Sequence, residues 1–140
     1  MENDRSFSLN YPLNILIAAK HTLNRYQTEQ ALFGLGYRPD LAASGSEVIS
    51  MTDHKAYDVI LVDICMTSQD GTLTSRLAHL RENNRPLVIG MSGDEQTSGV
   101  RQFSLEAGMD HFFSNPIDSR ELRLQLKACA VLTGNCRTRA

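Results

Sequence analysis

Chemistry in this chain has to come from a small set of side chains, and their types and spacing exclude much at once. Cys65, Cys129 and Cys136 form no CxxC pair, and His21, His54, His79 and His111 do not stand at zinc-like spacing from them. No metal centre is expected from these residues, and an odd number of thiols argues against a disulfide framework, so all three are read as reduced. Ala19-Lys20-His21-Thr22 follows the first apolar run, where a nucleotide cradle of the P-loop or Rossmann type would need glycines. What remains is the carboxylate of Asp63, directly after the most apolar run of the chain, and polar residues that follow other apolar runs: Lys20 and His21, Ser92 and Asp94, Asn115. Lys20 can neutralise Asp63, the Ser92 hydroxyl can cap a turn, and the Asn115 amide donates a hydrogen bond without supplying a cation.

These residues are useful only if one fold gathers the ends of their runs. Asn14-Ile-Leu-Ile-Ala18 is a short continuous apolar stretch, the pattern of a strand buried on both faces of a parallel sheet. Thr22 to Leu35 reads as a helix presenting Leu23, Tyr26, Ala31, Leu32 and Leu35, stopped by Gly36. Tyr37 to Ala42 is expected as the second strand, and Ser44-Gly-Ser-Glu47 as the cap of a helix carrying Val48, Ile49 and Met51 to about Lys55. Tyr57 to Val62 is the third strand, and a polar loop from Asp63 to Gly71 leads to a helix holding Leu73, Leu77 and Leu80. The fourth strand is Leu87 to Met91, followed by a helix over Glu95 to Ala107, a fifth strand over Met109 to Phe113 and a last helix from the Asp118 cap through Val131. Alternation of this kind predicts a doubly wound α/β domain with a parallel sheet, right-handed crossovers and helices on both faces. The site then belongs at the carboxyl ends of the strands, which is where Lys20, Asp63, Ser92 and Asn115 fall.

Composition narrows the reading further. A chain of 140 residues with 41% hydrophobic content suits one domain, here residues 13–132 between a polar N-terminal tail, 1–12, and a C-terminal tail, 133–140. Fourteen basic residues against 16 acidic ones give a net charge of −2, which leaves no surface for direct nucleic-acid or membrane binding. The apolar stretches are far short of the roughly 20 residues that span a bilayer, and Met1 to Ser8 lacks the apolar core of a signal peptide. A cytoplasmic location is expected.

Five segments at the strand ends carry a resemblance. Tyr57-Asp-Val-Ile-Leu-Val-Asp63-Ile-Cys-Met66 with Asp70-Gly71, Val88-Ile-Gly-Met-Ser92, and Ala107-Gly-Met-Asp110-His-Phe112-Phe-Ser-Asn115-Pro116 are similar, in order, to the third strand, fourth strand and fifth-strand segment of response-regulator receiver domains. His21-Thr-Leu-Asn24 and Leu35-Gly36-Tyr37 resemble the first helix of the receivers fused to hybrid sensor histidine kinases. The resemblance covers about Leu13 to Val131. It implies a flavodoxin-like (βα)5 fold with a five-stranded sheet in the order 2-1-3-4-5, Asp63 as phosphoacceptor, and Ser92 and Phe112 as the switch pair. His21, Cys65, Thr67, Asp94 and Pro116 would form the rim of that site.

The departures matter as much. Ala19-Lys20 stands where the family has an acidic pair, Asn115 where it has lysine, and Thr67 where it has proline. Such a sequence resembles a pseudo-receiver, which keeps the fold without the phosphorylation machinery. Its expected state is non-enzymatic, with no catalytic residue, metal or cofactor, and with Asp63 neutralised by Lys20. The alternative is a working receiver phosphorylated on Asp63, and only this reading calls for Mg2+. The implied partners are a histidine kinase, another receiver or an output protein, met through the fourth helix, fifth strand and fifth helix, a surface that would also serve a homodimer. A small flavin- or phosphate-binding enzyme of the same fold is the third class, disfavoured by the missing glycine-rich loop. A free-standing protein and a piece of a larger hybrid kinase both remain open.

Overall fold

The computed structural model describes residues 6–63, 75–77, 79, 86–92, 110–114 and 118–133. Its sheet has five parallel strands, β1 (Ile15–Ala18), β2 (Asp40–Ala42), β3 (Val59–Asp63), β4 (Leu87–Ser92) and β5 (His111–Ser114), in the order β2-β1-β3-β4-β5. Around it lie α1 (Phe7–Asn10), α2 (Thr22–Phe33), α3 (Gly45–His54) and α4 (Ser119–Thr133), and residues 75–77 and 79 are also helical. The order reverses beside β1, so β1 and β3 are central, and every residue of both is buried. Continuous apolar runs are what such two-sided burial requires.

Side-chain alternation divides the interior into two cores. Ile15, Ile17, Val59, Leu61, Ile89 and Met91 pack with Leu32, Leu122 and Leu126 on one face. Leu16, Ala18, Ile60, Val62 and Val88 pack with Val48 and Leu77 on the other. Asp63 has the parity of Val59 and Leu61, so it belongs to the face covered by α2.

Several expectations are corrected by packing. Leu23 and Tyr26 are exposed at 63% and 55%, and the inward row of α2 instead runs through Thr28 and Leu32. Counting back along that row reaches Asn24, so a polar residue holds the place nearest the strand ends. Thr28 is buried at little cost because its hydroxyl donates to the Asn24 carbonyl at 2.9 Å and meets Met91 Sδ at 3.6 Å. The expected strand from Tyr37 pairs only from Asp40. Gly36 at φ 94° turns the chain at the end of α2, and Tyr37 N–H donates back to the Leu32 carbonyl.

The expected polar tail over residues 1–12 is not one where it is described. Phe7 and Tyr11 are buried, with ring centroids 4.8 Å apart, and Phe7 also meets Tyr37 edge-on at 6.3 Å. Ser8 N–H donates to the Leu35 carbonyl at 3.0 Å, and the Tyr37 hydroxyl donates to the Tyr11 carbonyl at 2.6 Å. Burial in a mainly apolar setting pushes the Tyr37 phenol well above its ordinary pKa. At the other end, α4 runs through Thr133, and 134–140 lie outside the described residues. So do the expected helix over Glu95 to Ala107 and the positions of Leu73 and Leu80.

Candidate functional site

Asp63 ends β3 at the carboxyl edge of the sheet, beside Met91 of β4 in register and 2% exposed. A carboxylate this buried needs polar company. Part of it comes from the first turn of α2, where Asn24 Nδ2 donates to Asp63 Oδ2 at 3.5 Å. The same helix end turns its positive dipole toward the strand ends, which favours a negative charge there.

The neighbouring loop is pinned rather than open. Ala19 N–H donates to the Ala42 carbonyl of β2 at 3.0 Å, and Arg25 reaches back to the Ala19 and Lys20 carbonyls at 2.7 and 3.4 Å. Ala19 is fully buried, so a methyl group occupies the first of the two positions after β1. Lys20, the second, is exposed. The expected Lys20–Asp63 pair is not among the ion pairs made between two described residues, such as Lys55–Asp40 at 3.0 Å and Arg76–Asp53 at 2.9 Å. The reason is local: β1 ends at Ala18, the next side chain turns inward, and the one after it faces solvent. His21 is the exposed N-cap of α2 and its side chain makes no capping bond.

The remaining predicted positions divide by what is described. Ser92 is the last residue of β4, opposite Ser114, and Phe112 lies in β5 opposite Gly90, so the two residues expected to form a switch pair are on adjacent strands. Cys65, Thr67, Asp94, Asn115 and Pro116 lie outside the described residues. Sequence reasoning did not assign Asn24 or Arg25 to the site. The signal was present in spacing, since a strand ending at Ala18 and a helix starting at Thr22 must place first-turn side chains over the strand ends.

Magnesium sites need several hard oxygen ligands, usually carboxylates with water. Among the described residues no cluster of three His, Cys, Asp or Glu side chains could hold a metal ion. Among the described residues at the ends of β1 and β3, Asp63 is the one carboxylate, beside the methyl of Ala19 and the outward ammonium of Lys20, and these three do not by themselves make the oxygen set that ion takes.

The family model for the response regulator receiver domain matches residues 15–127, and the chain belongs to this family. It is 33% identical over 132 residues to histidine protein kinase 1 of Candida albicans, a match covering 86% of this chain and 5% of that protein. It is 31% identical over 124 residues to the sensor protein EvgS of Escherichia coli K12, covering 88% of this chain and 10% of EvgS. The chain thus spans a tenth or less of the length of these two relatives. Among solved structures, the receiver domain of the sensor histidine kinase PA1611 from Pseudomonas aeruginosa, which has a magnesium ion coordinated in its active-site cleft, superposes with a TM-score of 0.72. That likeness is at 27% identity and covers 85% of this chain and 98% of the other. The chain is therefore a receiver domain of two-component or phosphorelay signalling, similar to the receivers of hybrid histidine kinases. No helix among the described residues is long and apolar enough to cross a membrane.

Proposed function

We propose that this receiver works as a pseudo-receiver: a non-enzymatic signalling module that acts by protein–protein contact without magnesium-dependent phosphorylation. One observation carries the reading. The two positions after β1 hold a buried methyl and an exposed ammonium, so neither supplies a carboxylate beside Asp63 to help bring in a divalent ion. Transfer to an aspartate depends mainly on positioning and charge stabilisation. The PA1611 receiver, by contrast, coordinates magnesium in its cleft. The partners proposed are a histidine kinase, a second receiver or an output protein, met in the cytoplasm through the segment from Glu95 to Val131, a surface that also serves for self-association.

The retained Asp63, buried at the end of β3 and hydrogen-bonded by Asn24, favours a second reading in which it still accepts phosphate, with Mg2+ recruited by an altered ligand set. One experiment separates the two. Parent and the triple variant Ala19→Glu, Lys20→Asp, Asn115→Lys are incubated with acetyl phosphate and Mg2+, and intact mass reports any added phosphate. The expected result is labelling of the triple variant alone, because the new carboxylates complete an oxygen ligand set and the new lysine supplies a cation for the phosphoryl oxygens. Equal labelling of the parent establishes the second reading.

A further inference from the structure

A groove of about 590 Å³ runs between α1 and α4, at a place the family match only half covers, since α1 precedes residue 15. Its walls are Phe7 and Tyr11 on one side and Arg120, Arg123, Leu124 and Lys127 on the other. Arg120, Leu124 and Lys127 follow one another at i, i+4 and i+7, so they share a face of α4 that spans about 10 Å of helix axis. On a chain whose net charge is −2, this groove gathers three cations, and no carboxylate lines it among the described residues.

The two aromatic rings do not serve as a stacking platform. Phe7 and Tyr11 are 7% and 8% exposed, and Arg123 and Lys127 already lie over them at 5.3 and 5.9 Å from the ring centroids. The rings instead hold the cations in place at the groove wall, which lowers the entropy lost when an anion arrives. Between the charges, Leu124 is 66% exposed, an apolar contact point with cations on either side.

We infer that the α1–α4 groove is a docking site for an acidic amphipathic segment of a partner protein, with an apolar side chain seated on Leu124 and carboxylates flanking it to meet Arg120 and Lys127. Charge complementarity selects this occupant. Single-stranded nucleic acid is held largely by stacking its bases on open ring faces, and here cations lie over both rings. An anionic membrane would need a broad basic surface, and this is a concave groove on an acidic chain. The inference deepens the reading above by naming a partner chemistry and by placing it where the last helix of that segment meets α1, and it holds whether or not Asp63 takes phosphate.

The test uses the full chain and a fluorescent peptide with Glu and Leu repeated at helical spacing, compared with the same peptide carrying Gln in place of Glu. Binding is followed by fluorescence anisotropy. The parent is expected to bind the Glu peptide and not the Gln peptide, with affinity falling as salt rises. Arg120→Glu and Lys127→Glu should each weaken binding about tenfold, and Leu124→Ala should weaken it too, whereas Arg38→Glu, an equal charge change at an exposed site elsewhere, should not. All four are exposed positions, and circular dichroism confirms that the variants fold. The inference is overturned if the parent binds both peptides alike, if Arg38→Glu weakens binding as much as the groove variants, or if anionic vesicles or single-stranded RNA compete at the groove more strongly than the Glu peptide. The readout involves no phosphate, so its failure leaves the acetyl phosphate result standing, and the reverse is also true.

Discussion

Cys129 shows what burial does to a reactive group. Its thiol faces the Asp58 carbonyl at 3.6 Å beneath α4, and burial, reinforced by the charges of Asp58 and Asp110, pushes its pKa up to about 11. The thiolate is the reactive form, so the thiol is inert near neutral pH. With Cys65 and Cys136 changed to Ser, the folded protein should resist iodoacetamide and label on unfolding; rapid labelling of the folded state would contradict this. At the second strand, Asp40 accepts from the Tyr57 hydroxyl at 2.6 Å and from Lys55 Nζ at 3.0 Å. The Tyr57 bond, followed by Lys55, holds the Asp40 carboxyl below its ordinary value of 3.8, while burial and the same bond push the Tyr57 phenol upward. A carboxyl with a depressed folded pKa contributes stability that is fully present above 3.8 and is lost as pH falls through the folded value. Tyr57→Phe should therefore cost about 1 kcal/mol near neutral pH in urea denaturation. The gap between parent and variant should narrow as pH drops below about 4. A gap that stays constant into acid would show that the bond does not depend on the carboxylate charge.

Elements here are set by their ends. Ser44 caps α3, its hydroxyl accepting from Glu47 N–H at 3.2 Å while the Glu47 carboxylate accepts from Ala43 N–H at 2.6 Å. This reciprocal arrangement predicts that Ser44→Ala lowers stability by about 1 kcal/mol, and that Ser44→Gly costs only a few tenths, as measured by thermal or urea unfolding. Equal losses for Ala and Gly would mean that the hydroxyl is not the source of the stability. This cap was legible in Ser44-Gly-Ser-Glu47, as were β1 and β3, because an uninterrupted apolar run such as Ile15–Ala18 has few alternatives in an alternating chain. The inward face of α2 was not legible. Leu23 and Tyr26 satisfy a helical period as well as Thr28 and Leu32 do, and only the docking of the helix on the sheet chooses between the two rows. The same choice hid Asn24. Asp63 could be placed from sequence because it closes an apolar strand, whereas the Lys20 pairing depended on how far β1 extends, which one residue reverses.

At the scale of the molecule, the fold's lower edge is closed by residues that sequence alone reads as a tail. Phe7 and Tyr11 join the α2–α4 core, so cutting the chain before Leu13 opens that core along with the removal of two aromatic rings. Such a truncation should cost about 3 kcal/mol or more and lower the melting temperature by several degrees. A truncated chain that melts with the parent would show that α1 only rests on the surface. The attachment of α1 has a further, mechanical consequence. Ser8 is tied to Leu35 through the backbone, Tyr11 is tied to Tyr37 through a hydroxyl, and Arg123 and Lys127 lie over the two rings. A pull or twist applied at Ser6 is therefore not taken up by slack chain ahead of β1. It loads the turn after α2 and the flank of α4 together, so this end of the domain behaves as a short lever clamped at both ends rather than as a tether.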